Sequence, residues 1–425
     1  MEVKSNPVET QPTTGEEEQR MSEKAEKSES QHLLGWPRVM GLAFTHFYQH
    51  LVMTSLAPIL TLIQADFGVG YTQMGFLLSA ARFSGGVLQL PAGMAADRLG
   101  KKLVLLAGFG LLLSSVFFSG LAPTFLVLIV LQLSVGIADS VFHPATYSLI
   151  SQGSRRDTLG ISMSIHTMAG FAGTYLAMSL IARMGDAVGW RSTLMLLPIP
   201  GLILMGILAA WFKEPPSDPE AGDAEGDGDG SSLLEGPLPF IFLAGLMGGI
   251  GMQGLIGFLP TFLHVVHGLS VVEAGDLAGL MVVGVASMLV GGWLADRVNR
   301  INLVAGGAVS AAAMVALLAL WTPPLALLPL LLMGTGVAIY LTTPAHSALI
   351  SAYASGATQG RLYGVSFAGS ALGSSVGAIM VGFIADLAGF QVAFIFLAGA
   401  SLARAAIILS LRRFDVWVAR RSLDT

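Results

Sequence analysis

Two pairs of ionisable residues lie inside long apolar stretches of this sequence, and the members of each pair are four residues apart. Asp139 and His143 form one pair, and His46 and His50 form the other. Residues four apart share one face of a helix, and a carboxylate beside an imidazole can exchange a proton near neutral pH. Asp139 and His143 are therefore a candidate proton-coupling site. The alternative is a fixed structural pair that Arg82 completes.

Arg82 is a cation in the middle of another apolar stretch. An ionisable side chain at the centre of a membrane helix costs roughly 2.5–3.5 kcal/mol on insertion scales, so it is a functional candidate. Either Arg82 neutralises Asp139, or it attracts an anionic substrate. His46 and His50 line the substrate cavity or a helix contact. Histidines four apart could also bind a metal, but no cysteine or acidic pattern nearby supports this, and the sequence predicts no metal site.

Three further polar residues, His166, Gln253 and His346, stand alone in apolar stretches. Each lines the substrate cavity or makes a hydrogen bond between helices. Arg404 is predicted to be structural or to extend along its helix toward the membrane surface. The sequence contains no phosphate-binding Gly-Lys-Ser/Thr loop, zinc-protease pattern or nucleophile elbow. It therefore predicts no catalytic residues and no enzyme.

The composition indicates that these residues are carried by membrane helices. The 425-residue chain is 53% hydrophobic and 12% charged, with a mean hydropathy of +0.71. Soluble domains usually carry about 25% charged residues, so this chain lacks the polar side chains that a water-exposed surface needs. It has no cysteine, which excludes disulfides and thiolate metal sites.

Twelve apolar stretches are long enough to cross a hydrocarbon core of about 30 Å. A linker rich in Pro, Gly and acidic residues, 213–236, separates six spans from six. The predicted fold is an all-α membrane protein with six-helix bundles at 38–212 and 237–411, a disordered tail at 1–37 and a second tail at 412–425. The predicted spans are 38–64, 71–96, 101–121, 124–149, 157–183, 190–212, 237–264, 271–295, 300–321, 323–350, 358–384 and 390–411.

The two halves repeat with offsets of 199 to 204 residues. Such matches, in order and at equivalent positions, indicate two parallel repeats related by an axis along the membrane normal, which is typical of transporters that work by alternating access. The matching pairs include Pro58 and Pro260, Gly68 and Gly268, Gly75 and Gly275, Pro144 and Pro344, Gly160 and Gly364, and Gly189 and Gly389.

Basic residues predict that both termini lie in the cytoplasm. With the N-terminus inside, the cytoplasmic segments hold 18 Lys and Arg residues and the opposite side holds two, Arg183 and Arg191. Lys and Arg favour cytoplasmic loops. We therefore expect a multi-pass protein of the bacterial inner membrane with both termini cytoplasmic.

The loop between spans two and three resembles the signature of the major facilitator superfamily. That signature is Gly, three residues, Asp-Arg, one residue, Gly and two basic residues, and this chain has Gly93-Met-Ala-Ala-Asp97-Arg98-Leu-Gly100-Lys101-Lys102. A degenerate copy with Gly292, Asp296 and Arg297 lies between spans eight and nine. The resemblance implies two bundles around a central site, a small-molecule substrate in a lipid bilayer, and a monomer.

In this superfamily the signature loop helps to close the cytoplasmic side. The resemblance therefore implies a gating role for Gly93, Asp97, Arg98, Gly100, Lys101, Asp296 and Arg297. Asp97 is expected near the N-terminus of span eleven, where the helix dipole favours a carboxylate by roughly 0.3–1 kcal/mol. The alternative is a tight loop with basic membrane anchors.

Within the superfamily the chain is similar to the fosmidomycin-resistance-like, drug-efflux branch. Two features depart from that branch: His50 stands where the branch usually has Asp, and the stretch 169–174 lacks the Gly-Pro pair common in drug antiporters. The similar stretches are His46-Phe47, Ala57-Pro58, Phe67-Gly68, Tyr71-Thr-Gln73-Met-Gly75 and Val141-Phe-His143-Pro-Ala145.

These observations predict a secondary transporter that moves a small organic molecule by proton-coupled efflux. The alternative is proton-coupled uptake of a small organic anion such as a carboxylate, because Arg82 and the histidines would form a cationic site. A remote alternative is a membrane receptor that does not transport. No cofactor besides the proton gradient and no nucleic-acid partner are expected.

Overall fold

The computed structural model describes residues 34–155, 158–212, 236–321, 323–353 and 359–414. Most of both predicted tails and of the linker lie outside these residues, and so does the Asp97 side chain.

The described residues form twelve membrane-spanning helical segments. Ten stretches have the length and hydropathy of a membrane span. One of them, Leu159–Trp211, bends at Gly189, where φ is 79°, and therefore contains two spans. The more polar 29-residue helix Tyr71–Leu99 is the twelfth. In order, the spans are Trp36–Phe67, Tyr71–Leu99, Lys101–Gly120, Phe125–Gly153, 159–188, 190–211, Leu238–His267, Val271–Ala295, Arg300–Leu320, Leu325–Ala352, Gln359–Ala388 and Phe390–Ser410.

The predicted duplication is visible in the backbone at two pairs of glycines. Gly68 and Gly268 end spans one and seven in the left-handed conformation, with φ of 61° and 67°. Gly189 and Gly389 separate spans five from six and eleven from twelve, with φ of 79° and 85°. Glycine adopts positive φ without the steric cost of a Cβ atom, so these two matching pairs reflect the same backbone requirement in both halves.

The halves pack on each other through two symmetry-related helix pairs, span two with span eleven and span five with span eight. A Cβ atom at Gly75 would lie 2.5 Å from the carbonyl oxygen of Ala378, and one at Gly275 would lie 2.5 Å from that of Met178. Small residues permit such close approach of membrane helices. The predicted glycine pair is therefore the point of close contact between the halves.

These contacts close one face of the protein. We call the ends of the spans near Trp36 and Phe414 the termini face and the other ends the distal face. At the distal face, Asp386 accepts hydrogen bonds from the backbone N–H groups of Tyr71 and Thr72, at 2.9 and 2.7 Å. There the guanidinium of Arg183 also lies 2.5 Å from the carboxylate of Asp276.

The termini-face ends of spans five and eleven have open space beside one glycine each. A Cβ atom at Gly160 or Gly364 would meet no described residue within 4 Å. Within its own half, Tyr363 near the start of span eleven bonds to Ser351 and to the Ser347 carbonyl oxygen of span ten.

The residues predicted to gate the termini face hold their own halves together. Gly100, with φ of 90°, begins span three, and Lys101 is buried and donates to the Gln152 side chain at 2.6 Å. Arg297 stacks on Trp293 at 4.3 Å. Gly93 packs near Pro144, and Asp296 is largely exposed with Arg300 at 4.0 Å. Contact between Asp97 and span eleven stays a prediction.

Candidate functional site

Asp139 lies where spans one, two and four meet. Gln49 of span one donates to its Oδ1 at 2.6 Å, and the Nε2 atom of His143 lies 3.6 Å from the same oxygen. The backbones pack closely there, because a Cβ atom at Gly136 would lie 2.1 Å from the Ala81 carbonyl oxygen. The predicted Asp139–His143 pair therefore forms, and Gln49 is a third member that the spacing did not reveal.

Four histidines from three spans gather beside this carboxylate. The rings of His46 and His166 stack at 4.1 Å, and the His46 ring lies 4.6 Å from His50 and 5.2 Å from His143. His46 and His166 are buried between spans one and five, whereas His50 and His143 are partly exposed. The arrangement joins the two predicted pairs into one cluster. His46 occupies the helix contact that was one of its two alternatives.

Some ring nitrogens of this cluster have hydrogen-bond partners, and others have none among the described residues. His46 Nδ1 is 2.7 Å from the His166 carbonyl oxygen, and His50 Nδ1 is 3.0 Å from the Thr174 hydroxyl. His46 Nε2, His50 Nε2 and His143 Nδ1 are buried and bond to no described residue. Buried polar atoms without partners are costly, so these nitrogens are available to bind protons or another ligand.

One set of nitrogens in the cluster is close enough to consider a metal. One ligand atom from each of His46, His50 and His143 lies within 4.8 Å of the others. Metal–nitrogen bonds of about 2.1 Å in a tetrahedral site would require about 3.4 Å between nitrogens. An upper limit of 4.8 Å on the separations is compatible with such a site. The prediction of no metal site stays a prediction.

Arg82 is not the partner of Asp139. No ion pair or hydrogen bond joins its guanidinium to any residue that the structure describes, and Asp139 instead bonds to Gln49 and His143. Arg82 lines a cavity of about 30 Å³ between the halves with Gln132 and, from span seven, Gln253. Ligand pockets usually measure about 300–1,000 Å³, so an organic solute would enter here only as the halves move apart. It is also within electrostatic range of the His50 ring. Of its two predicted roles, this placement leaves the guanidinium free for an anion.

His346 lies in a separate and larger cavity of about 260 Å³ inside the C-terminal half. Arg404, predicted to be structural or to extend toward the membrane surface, lines the same cavity. The sequence marked Arg404 as unusual through its position in an apolar span. Its direction depends on small residues of neighbouring helices, such as Gly248, which sequence spacing does not relate to it.

The sequence profile of the Major Facilitator Superfamily matches residues 42–345. This covers well over half of the chain, and the protein belongs to that superfamily. Two solved structures support the same fold. A bacterial homologue of the human lysosomal transporter Spinster, in an inward-facing and occupied conformation, superposes with a TM-score of 0.71 at 18% identity, covering 90% of this chain and 96% of that one. A nucleoside transporter gives 0.71 at 17% identity, covering 88% and 99%.

Curated relatives differ in what their names say they transport. A probable L-galactonate transporter of Escherichia coli is 24% identical over 64% of this chain and 66% of its own length. A probable galactarate/D-glucarate transporter of Bacillus subtilis is 23% identical over 55% and 58%. The fosmidomycin resistance protein of Escherichia coli is 23% identical over 81% and 85%. The chain thus covers less than two thirds of the first two relatives.

Proposed function

We propose that this protein is a secondary transporter for a small organic anion, moved across the membrane by alternating access. The observation that carries the proposal is the Arg82 guanidinium, which has no ionic partner among the described residues and faces a cavity lined from both halves. A cation inside a membrane protein is costly without a counter-charge. An anionic substrate would supply that charge.

The position of Arg82 suits alternating access. Spans two, four and seven contribute Arg82, Gln132 and Gln253 to the cavity, so a bound solute would touch both rocking units. An arginine fork matches a carboxylate with two parallel hydrogen bonds, and the amide groups of Gln132 and Gln253 can orient the rest of the solute. Relatives named for L-galactonate and for galactarate or D-glucarate transport support an anionic solute.

Protons are the proposed coupling ion, and Asp139 and His143 the proposed coupling site. The buried nitrogens of the histidine cluster give a proton several acceptors beside the carboxylate. His50 and Arg82 connect this cluster to the substrate cavity electrostatically. Loading a proton on the cluster would raise the local positive charge and strengthen binding of an anion. That relation favours symport, in which proton and anion move together.

Efflux by antiport is the second candidate function. It rests on the fosmidomycin resistance protein, which aligns over 81% of this chain, more than the two named anion transporters do. In this mode, proton binding from outside would displace the solute. With cytoplasmic termini, as the basic residues predict, the closed distal face would lie outside, and the substrate cavity would face the cytoplasm.

The test uses purified protein in liposomes that contain a pH-sensitive dye. Organic anions, neutral sugars and amphipathic drugs are added in turn, and proton movement is recorded. We expect anions alone to drive protons, inward with the anion for symport. Proton movement out against an entering solute would establish antiport. A response only to neutral sugars or cationic drugs would contradict the anion proposal.

A further inference from the structure

The C-terminal half contains a cavity that the central site does not explain. It has a volume of about 260 Å³ and is surrounded by spans seven, nine, ten, eleven and twelve. Ligand sites typically measure about 300–1,000 Å³, so this one suits a compact solute. Its walls are glycine, alanine and serine on several helices, including Gly248, Ala311 and Ser374. These small side chains leave the space open.

Arg404 extends from span twelve into this cavity. Its Nε atom is buried without a hydrogen-bond partner, and the structure gives its guanidinium no ion pair with any described residue. The chain passes close by on span seven, where a Cβ atom at Gly248 would lie 3.3 Å from Nε. His346 lines the same cavity and is within electrostatic range of Arg404. The cavity is therefore cationic at one end.

The described part of the C-terminal half offers Arg404 no counter-ion. Its four acidic residues are at the ends of spans, and none of them lines the cavity: Glu273, Asp276, Asp296 and Asp386. Removing or omitting the partner of a buried charge is strongly unfavourable. A bound anion would supply the negative charge that these residues do not.

The remaining polar groups of the cavity are hydroxyls. The side chains of Ser374 and Ser401 line it and donate to no described residue. Ser370 makes a long bond of 3.3 Å to the Gly245 carbonyl oxygen, and Thr342 bonds to the carbonyl of Ile339 at 3.0 Å. Hydroxyl groups both donate and accept. Unused hydroxyls on spans eleven and twelve fit a ligand that carries hydroxyls of its own.

We infer that this cavity binds a compact hydroxylated carboxylate, with the carboxylate on Arg404 and the ligand hydroxyls on Ser374 and Ser401. The inference rests on the proposed function in that the ligand is taken to be the transported anion. It adds a substrate class and a second anion-binding position, within one half of the protein rather than between the halves.

Binding is measured by isothermal titration calorimetry on the full chain in detergent, with gluconate and glycerate as probes. Hexanoate has a carboxylate without hydroxyls, sorbitol has hydroxyls without a carboxylate, and inorganic phosphate is a bare oxyanion. We expect gluconate or glycerate to bind at least tenfold more tightly than all three. Arg404→Met should weaken that binding at least tenfold, and Arg404→Lys should weaken it less.

Two further variants separate a local effect from misfolding. Gly248→Val keeps Arg404 but fills the space beside it, and should also abolish binding of the hydroxylated acids. The Ser374→Ala, Ser401→Ala double variant should reduce gluconate affinity to the level of hexanoate and leave hexanoate unchanged. Arg413→Met, which removes an exposed arginine stacked on Phe240, is the matched control and should bind as wild type.

Several results would overturn the inference. This ligand class would be excluded if neither gluconate nor glycerate binds to the wild type. It would also be excluded if gluconate binds equally well to the wild type and to Arg404→Met, or if phosphate binds as tightly as gluconate. Loss of gluconate binding when phosphatidylglycerol is added would assign the cavity to a lipid headgroup. Calorimetry measures binding and requires no transport. The binding result can therefore be interpreted even if the proposed anion transport through Arg82 is not observed.

Discussion

Replacing Arg82 by methionine is expected to lower organic-anion transport at least about 100-fold in proteoliposomes. Truncating one member of a desolvated charge pair costs roughly 2–5 kcal/mol, and 2.7 kcal/mol corresponds to 100-fold. Arg82→Lys keeps the charge but loses the fork geometry and should retain part of the activity. The measurement is the initial rate of anion entry at fixed protein density.

The control for this prediction is Arg413→Met, because Arg413 is an exposed arginine that stacks on Phe240 and lines neither cavity. It should transport at the wild-type rate. Wild-type transport by Arg82→Met would show that Arg82 does not contact the anion. Equal losses in both arginine variants would point to a general effect of removing positive charge.

The second large effect is expected at Asp139 and His143. Asp139→Asn and His143→Gln should each reduce substrate-driven proton flux to less than about one tenth, because each removes a proton-exchanging group from the pair at 3.6 Å. Exchange of labelled for unlabelled anion across the same membrane needs no net proton movement, so it should persist. The two readouts together distinguish loss of coupling from loss of folding.

Matched controls exist for both groups. Asp66 is an exposed carboxylate outside the cluster, with Arg191 at 3.0 Å, and His264 lies near the end of span seven with its Nδ1 atom 2.6 Å from the Leu269 carbonyl oxygen. Asp66→Asn and His264→Gln should leave proton flux unchanged. If Asp139→Asn and His143→Gln both preserve proton flux, the pair is structural and the coupling site lies elsewhere.

The sequence predicted the fold because membrane spans and duplication leave local signals. Apolar length identified the spans, and positive-φ glycines recur at matching positions, as at Gly189 and Gly389. The repeat did not predict where helices break. Pro144 lies inside a continuous helix, Phe125–Gly153, whereas its counterpart Pro344 follows an interruption after Tyr340. Such breaks depend on the packing of neighbouring helices.

The candidate sites were predicted only in part. Spacing identified Asp139 with His143, since both are on one helix. It did not reveal that Gln49 bonds to Asp139 while Arg82 is left without a partner, because those relations join different spans. The position of Arg404 in a cavity was not predicted for the same reason: the small residues beside it are on span seven, which is distant in sequence.

The central claim is that an anion at Arg82 drives the two halves between alternate closures, and the chain allows a direct test because it has no cysteine. Single cysteines are introduced as Ser79→Cys, in the closed contact where Ser79 donates to the Ser375 carbonyl oxygen at 2.5 Å, and as Gly364→Cys, where a Cβ atom meets nothing within 4 Å. Labelling by a water-soluble maleimide is followed with and without the transported anion.

We predict that the anion raises labelling of Ser79→Cys and lowers labelling of Gly364→Cys, and that Arg82→Met removes both changes. Opposite changes at the two positions are the signature of one face opening as the other closes. Labelling that does not respond to the anion, or that changes in the same way in the Arg82→Met background, would contradict the account.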